Sequence, residues 1–285
     1  MKTILVPVEE SDVLRSMLAT ALHTARRFDS YIEGLHVRPA LPGVVAAGAA
    51  GLVAATPDLV ESFERQDEAR TETAKKLYDA FLEEQGIPRG RPEGAVEAPI
   101  AGWLEEVAPG DDVVGSYGRS FDLIVVGRPV RGSLTPAMAT LEAALFESGR
   151  PILIAPPTPP ASVGDEIVIV WNGSTETART IGFGMRFLRA AKKVRVLSID
   201  NSMVPGPTGA QMAQYLTRNG VPAESVDALA NGRGPGAAML EEAARLGCDL
   251  MFKGAYTNSR LRQMIFGGAT SHILAEANIP IFMAH

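Results

Sequence analysis

The chain is 285 residues long, nearly half hydrophobic and about one-fifth charged, with a formal net charge of −6. This composition excludes an intrinsically disordered chain and allows about two domains of ordinary size, and the acidic balance disfavours nucleic acid as a partner. The single cysteine, Cys248, rules out an intrachain disulfide and suits a reducing compartment, where it reads as a small buried hydrophobe.

Met1-Lys2-Thr3 leads directly into a strand-like run without the apolar region of a signal peptide, so a cytoplasmic location and no membrane partner are expected. In the first half, strands are expected near 3–8, 31–37, 92–97, 122–127 and 151–155, with helices near 12–28, 61–85, 99–108 and 138–148. The uncharged Gly/Ala-rich stretch from Leu41 to Asp58 is shorter than a membrane-spanning helix and reads as a surface loop or flap. Pro156-Pro157-Thr158-Pro159-Pro160 is a stiff, extended linker. In the second half, strands are expected near 166–171, 193–199, 224–228, 249–254 and 280–284. Helices are expected near 174–191, 207–219, 235–246 and 267–277.

The second half repeats the landmarks of the first. Ile4-Leu5-Val6-Pro7-Val8 and Ile167-Val168-Ile169-Val170-Trp171 open each half. Asp122-Leu123-Ile124-Val125-Val126-Gly127 is matched by Asp249-Leu250-Met251-Phe252-Lys253-Gly254, and Pro151-Ile152-Leu153-Ile154 by Pro280-Ile281-Phe282-Met283. Glu9 and Asn172 are 163 residues apart but Gly127 and Gly254 only 127, so the first half carries about 36 extra residues, placed mostly between Arg38 and Val60. Alternating strands and helices with apolar, non-alternating strands predict an α/β fold: two tandem doubly wound five-stranded parallel-sheet domains, 1–156 and 161–285, with flavodoxin-like strand order.

The segment with most chemistry runs from Gly254 to Thr270, from a strand end to the start of a helix. Gly254, Gly267 and Gly268 strip side chains from that junction, Ala269 and Thr270 supply N–H groups in the first helical turn, and Thr270 adds a hydroxyl. Such a junction suits either a phosphate cradle or tight packing of loop on sheet. The Gly-Lys-Ser/Thr ending of a P-loop is absent. Lys253, beside Gly254, is placed to pair with a phosphate or to reach solvent along the sheet edge. At the corresponding place in the first half only Gly127 survives. Met138 and Ala139 stand where Gly267 and Gly268 stand, and Glu9 and Glu10 end the first strand, so that half is not expected to bind ATP. Arg128 and Arg131 lie either in a solvated loop or at an anion.

Gly254-x-x-Thr257-x9-Gly267-Gly268 resembles the ATP signature of the universal stress proteins, Gly-x-x-Gly-x9-Gly-Ser/Thr, with Thr257 at the second glycine and Gly268 at the hydroxyl position. The run Trp171-Asn172-Gly173-Ser174 is similar to tandem members of that family. The resemblance covers both halves and implies an adenine-nucleotide α-hydrolase-like fold binding ATP, with Mg2+ left open as its companion. It places Val170, Trp171 and Asn172 beside the nucleoside, Ile199 and Asp200 at the adenine, and Lys253, Gly254, Thr257, Gly267, Gly268, Ala269 and Thr270 around the phosphates. It further implies a stress-response or signalling module with at most slow ATP hydrolysis. The last strands, 151–155 and 280–284, are then expected near the interface of the halves, with a homodimer through terminal strands as a further possibility. The alternative is a structural or interaction protein whose nucleotide site has decayed. A ligase-type enzyme of the wider fold lacks support, because neither first strand is followed by a Gly/Ser-rich pyrophosphate loop. His23, His36, His272 and His285 share no metal-ligand spacing.

Overall fold

A computed structural model of the chain describes residues 1–38, 57–104, 110, 112–129, 136–200, 202–255 and 268–285. The Val/Ile/Leu runs become strands β1 (Thr3–Pro7), β2 (Tyr31–Leu35), β3 (Ile100–Leu104), β4 (Leu123–Gly127), β5 (Ile152–Ala155), β6 (Glu166–Val170), β7 (Lys193–Ile199), β8 (Ala223–Ala228), β9 (Leu250–Gly254) and β10 (Ile281–Ala284). The described helices are α1 (Leu14–Phe28), α2 (Pro57–Glu84), α3 (Val113–Gly118), α4 (Met138–Glu147), α5 (Thr175–Phe183), α6 (Met185–Ala190), α7 (Gly209–Arg218), α8 (Pro235–Arg245) and α9 (Gly268–Glu276).

All ten strands share one sheet, in the order β3-β2-β1-β4-β5-β10-β9-β6-β7-β8. Pairing is parallel throughout except at the centre, where β5 and β10 run antiparallel with Ile154 opposite Ile281 and Ile152 opposite Met283. The two five-strand runs thus face each other through their last strands. One sheet face carries Ile4, Val6, Val125, Ile169, Val196 and Phe252 under α1, α2 and α5–α7. The other carries Leu5, Val126, Val168, Met251 and Met283 under α3, α4, α8 and α9. Burial on both faces explains strands without polar alternation.

Several expectations need correction. The α/β class stands, but the order within each half is 3-2-1-4-5, not flavodoxin-like 2-1-3-4-5. The reason lies in β8, Ala-Glu-Ser-Val-Asp-Ala, which leaves its glutamate and serine exposed, and in β3, whose burial alternates. Such strands suit a sheet edge, whereas the flavodoxin order would bury each between two neighbours. The terminal strands offer no edge for a homodimer, because β5 lies between β4 and β10, and β10 between β5 and β9. The strand expected at 92–97 is irregular. Pro92 and Gly94 break that ladder, and Val96 only lends its carbonyl to Lys2 Nζ at 2.8 Å. The strand instead is β3, inside the segment expected as helix 99–108, where Gly102 leaves room for the Tyr31 ring. The helix expected at 174–191 divides at Gly184, because a Cβ there would lie 2.0 Å from the Phe252 ring. Much of the surplus in the first half is helix: α2 has 28 residues and its counterpart α7 has 10. Residues 39–56 of the expected loop lie outside the described residues.

Each half is pinned by the aspartate that precedes its fourth strand. Asp122 Oδ2 accepts from the backbone N–H of Lys2 at 2.5 Å. Asp249 accepts from the N–H groups of Gly164, Asp165 and Glu166 and from the Ser162 hydroxyl, at 2.6–3.1 Å. Across the halves, Phe28 meets Phe187 edge-on at 4.8 Å, and Arg27 pairs with Asp165. No described helix is long and apolar enough to cross a membrane.

Candidate functional site

In a doubly wound sheet the crevice opens at the carboxyl ends of the strands where chain direction reverses. In the second half that point is between β6 and β9, since β6 has β7 on one side and β9 on the other. The residues of interest gather along this edge. Val170 ends β6 with 3% of its surface exposed, and Trp171 follows, its ring buried and its Nε1 donating to the Pro207 carbonyl at 2.8 Å. Trp171 is therefore a packing residue. Ile199, at the end of β7, is also buried, and the neighbouring Asp200 accepts from the Ala230 N–H at 2.5 Å.

Asn172 organises the turn into α5. Its Oδ1 accepts from the Ser174 N–H at 3.2 Å and from the Thr177 hydroxyl at 2.9 Å, while its carbonyl accepts from the Val204 N–H at 2.8 Å. Ser174 is the N-cap of α5, accepting from the Thr177 N–H. Gly173 has φ +83°, and a Cβ there would lie 2.8 Å from the Val204 carbonyl, so the segment after β7 folds down over this turn. Thr177 and Val204 were not legible as part of this edge. The Ser174-x-x-Thr177 spacing signals a cap, but nothing local reveals the contact with Asn172.

Gly254 ends β9 against α5. A Cβ on it would lie 2.4 Å from the Thr177 nitrogen and 2.7 Å from the Glu176 carbonyl carbon. The first half repeats this contact. A Cβ on Gly127 would come within 2.9 Å of Val13, Met17 and Pro136. Both strand-end glycines thus serve close packing of a helix on the sheet.

On the other face, α9 begins at Gly268. Gly268 is exposed and a Cβ there would meet nothing within 4 Å; Ala269 is half-buried and Thr270 buried. The first-turn N–H groups of this nine-residue helix give its end a partial positive charge. Lys253 projects to the same face as Met251, the face that α8 and α9 cover. Burial pulls its ammonium down to about 8 from the ordinary 10.5, and among the described residues it donates to the Gly254 carbonyl at 3.3 Å. Thr257 and Gly267 lie outside the described residues. The structure brings Val170, Asn172, Lys253 and Gly254 together at the ends of β6 and β9, sets Gly268–Thr270 at the start of a helix over the same sheet face as Val170, and turns Trp171 inward. Among the described residues no cluster of His, Cys, Asp or Glu has the composition of a metal site.

The corresponding edge of the first half is closed. His36 stands where Ser198 stands in the second half, and Val37 where Ile199 stands. His36 is buried, its Nδ1 lies 3.2 Å from the Val8 carbonyl, and its Nε2 faces Asp67 of α2 at 3.8 Å. Arg38 donates to the same Asp67 carboxylate at 2.5 Å, so α2 is tied across the ends of β1 and β2. Burial lowers the His36 pKa. At the ends of β1 and β4, Glu9, Ser11, Pro136, Ala137 and Thr140 surround a cavity of only about 10 Å3, room for one water. Arg128 donates to the Ala277 carbonyl at 2.8 Å, at the C-terminus of α9, and so joins the halves rather than an anion; Arg131 lies outside the described residues.

No family model and no curated protein matches the sequence. Solved structures do match the fold. A universal stress protein from Archaeoglobus fulgidus DSM 4304 superposes with a TM-score of 0.68 at 14% identity, over 99% of this chain and 95% of its own. A candidate universal stress protein from Pseudomonas aeruginosa UCBPP-PA14 gives 0.55 at 14% identity, over 100% of this chain and 93% of its own. A protein of unknown function from Pseudomonas aeruginosa PAO1 gives 0.53 at 13% identity, over 100% and 92%. With its parallel sheet, alternating helices and end-to-end superposition, this chain has the fold of the universal stress proteins.

Proposed function

We propose that the second half, residues 161–285, binds an adenine nucleotide, with ATP as the first ligand to test and Mg2+ as an optional companion, and that the protein works as a nucleotide-binding stress-response or signalling module. The observation that carries this reading is the glycine start of α9, on the sheet face that Val170 and Met251 share. Among the described residues nothing lies within 4 Å of where a Cβ on Gly268 would stand, and an anion at this helix end would meet oriented N–H groups. The closed edge of the first half, filled by His36, Asp67 and Pro136, argues that one chain holds one nucleotide. The crevice presents no nucleophile–base pair among the described residues, so the reading is binding, with hydrolysis slow if it occurs.

Titration calorimetry of the full chain with ATP tests this, and one site per chain is the expected result. Binding at two equivalent sites would overturn the closure of the first half. No binding of ATP or any other adenine nucleotide would favour a second reading, an interaction protein with a decayed site. A specific observation speaks for that reading: Gly254 and Asn172 are both accounted for by contacts with Thr177.

A further inference from the structure

Arg15, Ala19, Leu22, His23 and Arg26 recur at helical spacing and share one stripe of α1. Leu22 is buried, while Arg15 and Arg26 reach solvent. Phe81 and Gln85 at the end of α2, with Pro159 and Pro160 of the linker, complete the walls of a cavity of about 200 Å3 along that stripe. Ala19 leaves the room, and the rigid rings of the two prolines do not fold inward to take it up.

The walls are held in place. The His23 ring donates to the Pro160 carbonyl and ties the linker to α1. Further along, Asp249 holds the Ser162 hydroxyl and the N–H groups of Gly164 and Asp165. Next to the stripe, Arg27 pairs with Asp165 and Phe28 packs on Phe187, so the cavity lies by the joint of the two halves. Small-molecule sites occur preferentially at such joints.

The whole chain has a net charge of −6, yet this cavity is lined by three residues able to carry positive charge, Arg15, His23 and Arg26, and by no acid. Arg15 is engaged: its fork holds both oxygens of Glu84, with the guanidinium 6.0 Å from the centre of the Phe81 ring. Arg26 is not matched in that way. Among the described residues it donates to the Gln85 carbonyl at 3.3 Å and has no acidic partner, which leaves donors of its planar fork for a ligand. The floor, Leu22 and Phe81, is apolar and buried. An apolar cavity of about 150 Å3 holds benzene, so this one admits an aromatic ring with a short substituent. An inorganic anion would leave the floor unused, and a neutral ring would leave the guanidinium unused. A ring that bears a carboxylate uses both.

We propose that this cavity is a small-molecule site whose ligand is a small aromatic carboxylate, with the ring on Leu22 and Phe81 and the carboxylate on the Arg26 guanidinium. The ligand bridges α1, the end of α2 and the linker, and no covalent step is involved. None of these residues belongs to the ends of β6 and β9, so the site stands or falls apart from the nucleotide reading.

The test is a titration of the isotope-labelled full chain with benzoate, benzyl alcohol and acetate, followed by the amide chemical shifts. Benzoate should shift amides of α1 and of Phe81 to Gln85 and saturate at one site per chain. Benzyl alcohol has the ring without the charge, and acetate the charge without the ring. Each should bind about tenfold or more weakly than benzoate. Arg26→Gln should lose about tenfold in benzoate affinity and keep benzyl alcohol within about twofold. Ala19→Leu fills the cavity and should abolish binding of both without lowering the melting temperature, which separates a blocked site from a lost fold. Benzoate binding that leaves these amides unshifted, or that survives both substitutions unchanged, would overturn the site. Equal affinity for benzoate and benzyl alcohol would overturn the assignment to a carboxylate, and no binding of benzoate would overturn the proposal as a whole.

Discussion

Lys253 bears on stability without any ligand. Burial holds its folded-state pKa near 8, below the ordinary 10.5 of an unfolded chain. Between those values the unfolded chain binds more protons, so stability rises with pH across that window. Below about pH 8 the charge must be buried on folding, at a penalty of about 2 to 3 kcal/mol. Above 10.5 both states are neutral and the penalty is gone. Lys253→Met should therefore raise the melting temperature at pH 7, and most of that gain should disappear by pH 10.5. Thermal melts of both proteins across pH 7 to 10.5 check this, and a gain independent of pH would show that side-chain packing, not charge burial, is responsible. The residues beside Lys253 show how far a single position can be read. Gly254 was legible as a residue needing close approach, but its neighbour was not. A strand-end glycine looks the same whether a phosphate or the Thr177 backbone sits against it, and the described contact is with Thr177. Asn172 was legible as the residue at the turn after β6, yet its partners Ser174 and Thr177 follow from the turn geometry of Gly173.

At the scale of elements, the strands were legible wherever burial on both faces makes an apolar run, as in β1, β4, β6 and β9. Edge elements were harder. Trp103 and Leu104 read as part of an amphipathic helix because β3 is covered unevenly, and only the Tyr31 ring over Gly102 reveals a strand. The break at Gly184 was hidden for a similar reason: helical periodicity continues through it, while the Phe252 ring that forces it comes from a strand 68 residues further on. The repeated aspartates were visible as a sequence landmark, and their work belongs to whole elements. Asp249 holds the start of β6 and the end of the linker to the start of β9 through four accepted hydrogen bonds. Asp249→Ala leaves three backbone N–H groups and one hydroxyl without their acceptor at a half-buried junction. A loss of about 3 kcal/mol is expected, since hydrogen bonds to charged groups contribute more than neutral ones. Urea unfolding should show the midpoint falling with little change in slope. Asp249→Asn, which keeps one acceptor oxygen, should lose less, and equal losses would show that the carboxylate's charge matters more than its geometry.

For the whole molecule, the decisive contact is β5 against β10. Each five-strand run ends in a short apolar strand whose outer edge would otherwise present unpaired backbone groups. The chain covers both edges by turning one run antiparallel to the other. Phe28 on Phe187, Arg27 on Asp165 and Arg128 on the Ala277 carbonyl hold the halves together beyond the sheet. The sequence repeat made two runs of strands legible, and the family resemblance put 151–155 and 280–284 near the interface, where β5 and β10 do pair; the strands alone could not say so, because Ile152–Ala155 and Ile281–Ala284 are apolar on both faces whether they lie inside a sheet or at its centre line. A consequence follows for the halves made separately. Residues 161–285 alone would expose the edge of β10, and because the native contact is antiparallel, a second copy can supply the same kind of edge by a two-fold rotation. That fragment should therefore form a dimer, as should residues 1–156 through β5, and mixing the two should yield the heterodimer that rebuilds the native interface. The mixed species should dominate, since Arg27 and Asp165 pair only across unlike halves. Light scattering on each fragment and on the mixture reads this directly. Fragments that stay monomeric and do not combine would mean that the β5–β10 contact contributes little to holding the halves together, and that the linker alone keeps them side by side.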